Sequence, residues 1–312
     1  MEYGRRDVLK FALGALPAAP FLMQPSILGI LGQDKPNSVF GGVQVGIIAP
    51  YAFRGTARNA ADILKSVVEL GINAIELQSP PVERFVGVPR GGGRGATNTS
   101  ARRAAEELRE WRGSVSMDKF VELREMYARA GVRIYAFKLE LNASMADEEL
   151  DYCFKVAKAL GADHVTTELR DDVTERAGEF AAKHEVHIAY HNHTQVDETS
   201  WDDALGQSAF NGINLDVGHF TAAISKSAIP FIRKHHARIR SMHLKDRKYG
   251  TNGSTNMPWG EGDTPLREVL QLMKEEKYTF PATIELEYTV PEDSTVQTEL
   301  RKCLAYCKAA LT

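Results

Sequence analysis

Eight short apolar, β-branched runs recur along the chain, each followed by a helical pattern with polar ends, and this repetition restricts the fold more than any other feature. The runs are residues 43–48, 74–77, 132–139, 164–167, 187–190, 213–215, 239–244 and 282–286. Between them, apolar residues at three- and four-residue spacing predict helices over 57–70, 117–130, 147–160, 171–184 and 264–277. Gly71, Gly131 and Gly161 each stand between a helix and the next strand, where a left-handed cap closes an αβ loop. Eight alternating units close more naturally as a (β/α)8 barrel of the α/β class than as an open sheet, and no strand opens into a G-x-G-x-x-G turn. At 312 residues one such barrel is an ordinary size, so a single domain is expected.

The barrel is expected to span 36–312, because residues 1–35 read as something else. Gly4-Arg5-Arg6-Asp7-Val8-Leu9-Lys10 precedes an apolar stretch, residues 11–23, that Pro17 and Pro20 interrupt. A charged start, a short apolar core and the small residues Ala18 and Ala19 resemble a twin-arginine export signal, and the run is too short and proline-broken for a membrane span. An exported, periplasmic protein is expected, with an amphipathic N-terminal helix or uncleaved anchor as the other reading.

Charge narrows the partners. With 38 Lys+Arg against 41 Asp+Glu the chain has no basic field to hold nucleic acid, and a small neutral or weakly charged substrate fits better. Cys153, Cys303 and Cys307 are too few and too unevenly placed for a disulfide framework and are read as packing residues. One connection, residues 79–116, is long and lacks apolar periodicity over its first half, which includes Gly91-Gly92-Gly93-Arg94-Gly95; it reads as a lid, binding or disordered loop following the second strand.

Barrel active sites are built at the C-terminal ends of the strands. Ionisable residues fall there on five consecutive strands: Glu168 ends the fourth, Tyr190-His191-Asn192-His193 the fifth, Leu215-Asp216-Val217-Gly218-His219 the sixth, Met242-His243-Leu244-Lys245-Asp246 the seventh and Ile284-Glu285-Leu286-Glu287-Tyr288 the eighth. Carboxylates and imidazoles arriving at one rim can surround a single cation, and such an oxygen and nitrogen set suits Mn²⁺, Mg²⁺, Co²⁺ or Zn²⁺. Arg54, Glu76 and Lys138 follow or end the first three strands and are candidate contacts to substrate hydroxyls, with a solvent-facing role as the alternative for Arg54 and Glu76. Lys245 is a candidate for neutralising an oxyanion or binding a hydroxyl, against simple pairing with Asp246.

These motifs, with Trp259-Gly260-Glu261-Gly262-Asp263, resemble the xylose isomerase-like TIM barrels, a group of sugar phosphate isomerases and epimerases that also includes inosose dehydratase and endonuclease IV. The resemblance covers about residues 43–310 and implies one divalent metal ion held by Asp216, His243 and Glu285. The fifth-strand position, usually Glu in the epimerases, is His191 here. Inosose dehydratase is the closer resemblance, with a Tyr-His pattern on this strand and a Glu ending the one before it. That implies Glu168 as fourth ligand, with His191 as alternative ligand or acid/base group. His219, His193 and Trp259 are implied near the substrate; for His219 and His193 the alternative is orienting a ligand.

Such a site implies a sugar isomerase or epimerase working through an enediolate on a keto-sugar, with Glu168, Glu285, His191 and His193 as candidate acid/base groups. With only one of the epimerase glutamates matched, a lyase or dehydratase eliminating a β-substituent, for example from a 3-keto-glycoside or an inosose, is the alternative. A nuclease like endonuclease IV lacks support in the charge balance. A non-catalytic carbohydrate-binding barrel is the remaining class, and a homo-oligomer is compatible with any of them.

Overall fold

The computed structural model describes residues 35–89 and 98–312. The expected export signal therefore lies outside the described residues, as does the Gly91–Gly95 stretch. Within them, strands β1 (Val43–Ala49), β2 (Ala74–Gln78), β3 (Arg133–Lys138), β4 (His164–Glu168), β5 (His187–His191), β6 (Asn211–Asp216), β7 (Ile239–Leu244) and β8 (Ala282–Ile284) each pair in parallel with the next. β8 also pairs with β1, so the sheet closes as a (β/α)8 TIM barrel with no free edge within the ring. A short strand, Val39–Phe40, adds antiparallel to β1. Among the described residues no helix is long and apolar enough to cross a membrane.

The helices form because their apolar stripes match the outer face of the barrel. In α1 (Ala60–Leu70) the side chains of Ile63, Leu64, Val67 and Val68 are buried, each contributing about 1.5–3 kcal/mol of apolar burial. The Asn59 side chain accepts the Asp62 N–H to start the helix, and Gly71, at φ 80°, ends it in the left-handed conformation the sequence anticipates.

The described residues of the connection over 79–116 are largely helical, not the loop read from the sequence. They contain α2 (Ser79–Val86) and α3 (Asn98–Ser114). Prolines in the first turn of α2 remove no helical hydrogen bond there, which hides a helix behind a breaker residue. Helix α3 is mostly polar; it docks through Trp111, whose ring meets Tyr152 edge-on at 6.1 Å, and through one buried ion-pair cluster. Buried Arg112 donates to Glu83 of α2 at 2.9 Å and to Glu149 of α5 (Asp147–Leu160) at 3.1 Å.

The inside of the barrel is polar. Tyr135 sits at a register shift between β2 and β3, where Ile75 pairs with Ile134 and Glu76 with Ala136. Its hydroxyl shares a 2.6 Å hydrogen bond with Thr283 across the lumen. Gly46 makes room for the ring, since a Cβ there would lie 2.8 Å from Tyr135 Cε1. Above this floor His164 Nε2 and Ser241 Oγ lie 3.0 Å apart, Asn214 Nδ2 donates to Ser241 Oγ at 2.7 Å, and Asn214 Oδ1 faces His191 Nδ1 at 2.7 Å. The three cysteines are buried and unpaired, as packing residues.

Candidate metal centre

Register brings the ligand candidates together. Asp216 on β6 pairs with His243 on β7, and His243 pairs with Thr283 on β8, so Glu285 projects from the same wall two residues above. One donor atom each from His191, Asp216, His243 and Glu285 lie within 4.8 Å of one another, and all four residues are buried. Asn192 frames Asp216 from the neighbouring strand: its Oδ1 accepts the Asp216 N–H at 2.8 Å and its Nδ2 donates to the Asp216 carbonyl at 3.2 Å.

The imidazole protons follow from their partners. Asn214 Nδ2 is donated to Ser241, so Asn214 presents Oδ1 to His191, and His191 Nδ1 must carry the hydrogen. That leaves the Nε2 lone pair for a cation, the arrangement in which a metal-ligating histidine is oriented through its other nitrogen. Burial first, then the charges of Lys138 and His243, hold His191 well below its ordinary range, which keeps it neutral. His243 is flanked by Glu76 Oε2 at Nε2, 2.8 Å, and by Glu285 Oε2 at Nδ1, 2.9 Å. Burial would lower this imidazole, but Glu76 and Glu285 outweigh it and raise it to about 10.

The donor set fits a divalent cation on a further ground. Asp216 Oδ1 accepts the His219 N–H at 2.7 Å, whereas its buried Oδ2 has no hydrogen bond, although Lys245 Nζ stands 2.9 Å away. Lys245 also reaches Glu285 at 3.2 Å and Glu287 at 2.7 Å. It does not pair with Asp246, whose carboxylate accepts the N–H groups of Gly260, Gly262 and Thr264. Burial pushes Asp216 up, and Lys245 with His243 pull Glu285 down despite its burial. Only glycine fits at 218, because a Cβ would lie 2.5 Å from the Lys245 carbonyl oxygen.

Glu168, expected as the fourth ligand, falls in a second group able to hold an ion, with His191 and His193, while His191, the alternative ligand, also stands beside Asp216, His243 and Glu285. The reason is local: Lys138 Nζ holds Glu168 Oε1 at 2.8 Å and His193 Nε2 stands 3.0 Å from Oε2. Lys138 is thus a buried partner of Glu168. Glu76, read as a rim or solvent-facing residue, is fully buried beneath His243 and accepts a 2.7 Å hydrogen bond from Thr166. Arg54 is exposed, at φ 50° after β1. Trp259 is not gathered with the ligands but meets Tyr306 edge-on, ring centroids 5.8 Å apart.

Three groups at the rim were not singled out in the sequence. Tyr51 donates to Glu287 at 2.8 Å, Glu287 holds Lys245, and Arg247 Nη1 lies 2.7 Å from His219 Nδ1. Glu287 had a visible signal, two residues beyond Glu285 on the same strand end.

The Glu168–His193 pair carries a pH signature. Burial would raise Glu168, but the His193 imidazole 3.0 Å from its Oε2 and the charge of Lys138 hold it at about 2, below its ordinary 4.5. The stability it contributes is present above pH 4.5 and lost as pH falls through about 2. His193, raised by Glu168, contributes below its ordinary 6.5 and loses that share as pH rises through its elevated value. Glu168→Gln is therefore expected to flatten the acid limb of the stability profile between about pH 5 and 2 in urea unfolding with chelator present. Parallel profiles for variant and wild type would show that the pair does not form.

The profile of the family described as Xylose isomerase-like TIM barrel matches residues 64–307. No curated protein sequence matches the chain. Among solved structures, the probable 3-DHS dehydratase AsbF of Bacillus anthracis, involved in petrobactin synthesis, superposes with TM-score 0.61 at 14% identity, over 84% of this chain and 98% of that one. The IOLI protein with a bound zinc atom gives TM-score 0.58 at 17% identity, over 86% and 99%. D-psicose 3-epimerase, solved in the presence of D-fructose, gives TM-score 0.58 at 11% identity, over 86% and 99%.

Proposed function

Because this chain belongs to the xylose isomerase-like TIM barrel family, we propose that it is a divalent-metal-dependent isomerase or epimerase of a keto-sugar or related carbohydrate, working by removal of a proton beside a carbonyl. The observation that carries the reading is the convergence of His191, Asp216, His243 and Glu285 at the C-terminal mouth of the barrel. A divalent ion there would supply Lewis acidity, polarising a substrate carbonyl.

The chain's own groups then divide the work. Lys245, fixed among three carboxylates, supplies a positive charge beside the oxygens of an enediolate. Glu285 and Glu168 are the carboxylates able to take the carbon-bound proton, and they approach from different strands. His193 lies half exposed beside Glu168.

That last contact favours a second reading on the same site, β-elimination. Glu168 raises His193 and so keeps a proton available there, as a departing oxygen requires. One structural neighbour is a probable dehydratase and another an epimerase, which supports keeping both outcomes for this fold. The export signal read in residues 1–35 extends the proposal to a periplasmic protein meeting its carbohydrate outside the cytoplasm.

The test is incubation of the metal-loaded protein with keto-sugars and 3-keto-glycosides in D2O, followed by NMR, with a chelated control. Deuterium at the carbon beside the carbonyl, lost on chelation, is the expected result. A new double bond would select elimination. Metal-dependent melting without any exchange would sink the enzymatic reading in favour of a binding barrel.

A further inference from the structure

Arg247 stands beside the ligand set with an orientation that the metal centre alone does not require. It lies in a short strand, Asp246–Arg247, paired with Asn256–Met257. Its guanidinium is fastened from behind, Nε and Nη2 both donating to the Ser254 carbonyl at 3.1 and 2.6 Å. Its remaining edge, Nη1, points at His219 Nδ1, 2.7 Å away.

A guanidinium has donors and no acceptor. The ring nitrogen facing it must therefore offer a lone pair, which makes His219 neutral and places its hydrogen on Nε2. Turning the ring over would set Cδ2–H against the cation and forfeit the hydrogen bond. The ring is held on one face by stacking on His193 at 4.8 Å between centroids, and the residue's backbone is anchored by its amide N–H, donated to Asp216 Oδ1 at 2.7 Å. Its Nε2 lies 3.9 Å from Glu287 Oε2, beyond hydrogen-bond reach, so the proton remains available at the mouth.

We propose that Arg247 is a positioning residue that fixes His219 as the neutral Nε2–H tautomer, so that His219 offers the substrate a hydrogen-bond donor and has no lone pair for a second metal ion or for a proton. The substrate clause rests on the function proposed above; the tautomer does not. Donation by Arg247 into Nδ1 also polarises Nε2–H, and a neutral imidazole kept from protonating is a known form of electrophile toward a carbonyl oxygen.

The experiment is long-range proton–nitrogen NMR on the full chain labelled in histidine, with His219→Gln assigning the ring signals. A protonated Nε2 and a bare Nδ1 at neutral pH are expected in the wild type. Arg247→Met is expected to convert this to a mixture of tautomers, and Arg247→Lys to recover it in part. With cadmium loaded, coupling to the metal is expected at His191 and His243 and absent at His219. A proton on Nδ1, an imidazolium, or cadmium coupling at His219 in the wild type would each overturn the proposal, whether or not Arg247→Met folds. Because the spectrum needs no substrate, its outcome is separate from that of the turnover test.

Discussion

Asp216→Asn is expected to abolish tight divalent-cation binding and to lower metal-dependent turnover by about a thousandfold or more. The substitution is isosteric, and the amide oxygen can keep the hydrogen bond from the His219 N–H that Asp216 Oδ1 now accepts at 2.7 Å. The fold around the first turn of α8 (Val217–Ile224) is thereby retained. What changes is Oδ2, the buried oxygen without a hydrogen bond, which becomes an NH2 group that cannot ligate a cation. Loss of Lewis-acid stabilisation on the order of 4 kcal/mol corresponds to ~10³ in rate. Calorimetric titration with Mn²⁺ or Zn²⁺ and the deuterium-exchange assay measure the two effects. Wild-type metal affinity in this variant would remove Asp216 from the ligand set.

Lys245→Met is expected to destabilise the chelated protein by about 3–5 kcal/mol and the metal-loaded protein by much less. The ammonium, 1% exposed, lies 2.7–3.2 Å from oxygens of Glu287, Asp216 and Glu285. Methionine fills the same channel beside Gly218 but removes the charge, leaving His243 to face the carboxylates of Asp216 and Glu285. A dication restores that balance, so the variant gains apparent metal affinity by the same free energy through which the loaded form is spared. Urea unfolding with chelator and with saturating metal reads both quantities. Equal destabilisation in the two conditions would mean that Lys245 and the cation do not answer the same carboxylates.

Reading the barrel from the sequence worked where local chemistry is decisive. All eight predicted runs coincide with strands to within two residues at either end, because β-branched runs bounded by glycine caps leave few alternatives. Helices α2 and α3 escaped, since one opens on prolines and the other has only a sparse apolar row ending in Trp111 and is fastened by Arg112 between Glu83 and Glu149, a long-range contact. Glu76 was misplaced for a related reason. Both faces of a barrel strand are buried, so β2 shows no alternation from which the lumen side could be told. That Asp216, His243 and Glu285 would meet was legible because each lies within one residue of the C-terminal end of a strand. That Glu168 stands apart from Asp216, His243 and Glu285 was not legible, because Lys138 and His193, which flank it, meet it only in three dimensions.

The ladder from Tyr135 and Thr283 at the floor, through His164, Ser241 and Asn214, to His191 has a consequence for anyone redesigning the barrel. Packing positions and chemical positions are here one and the same. An alanine at Ser241, harmless in an oily interior, would release the Asn214 amide to rotate, and the swapped amide would call for the His191 proton on the wrong nitrogen. If His191 holds the proposed cation, drift in such a lumen would be paced by coordination chemistry, two hydrogen bonds below the candidate ligand.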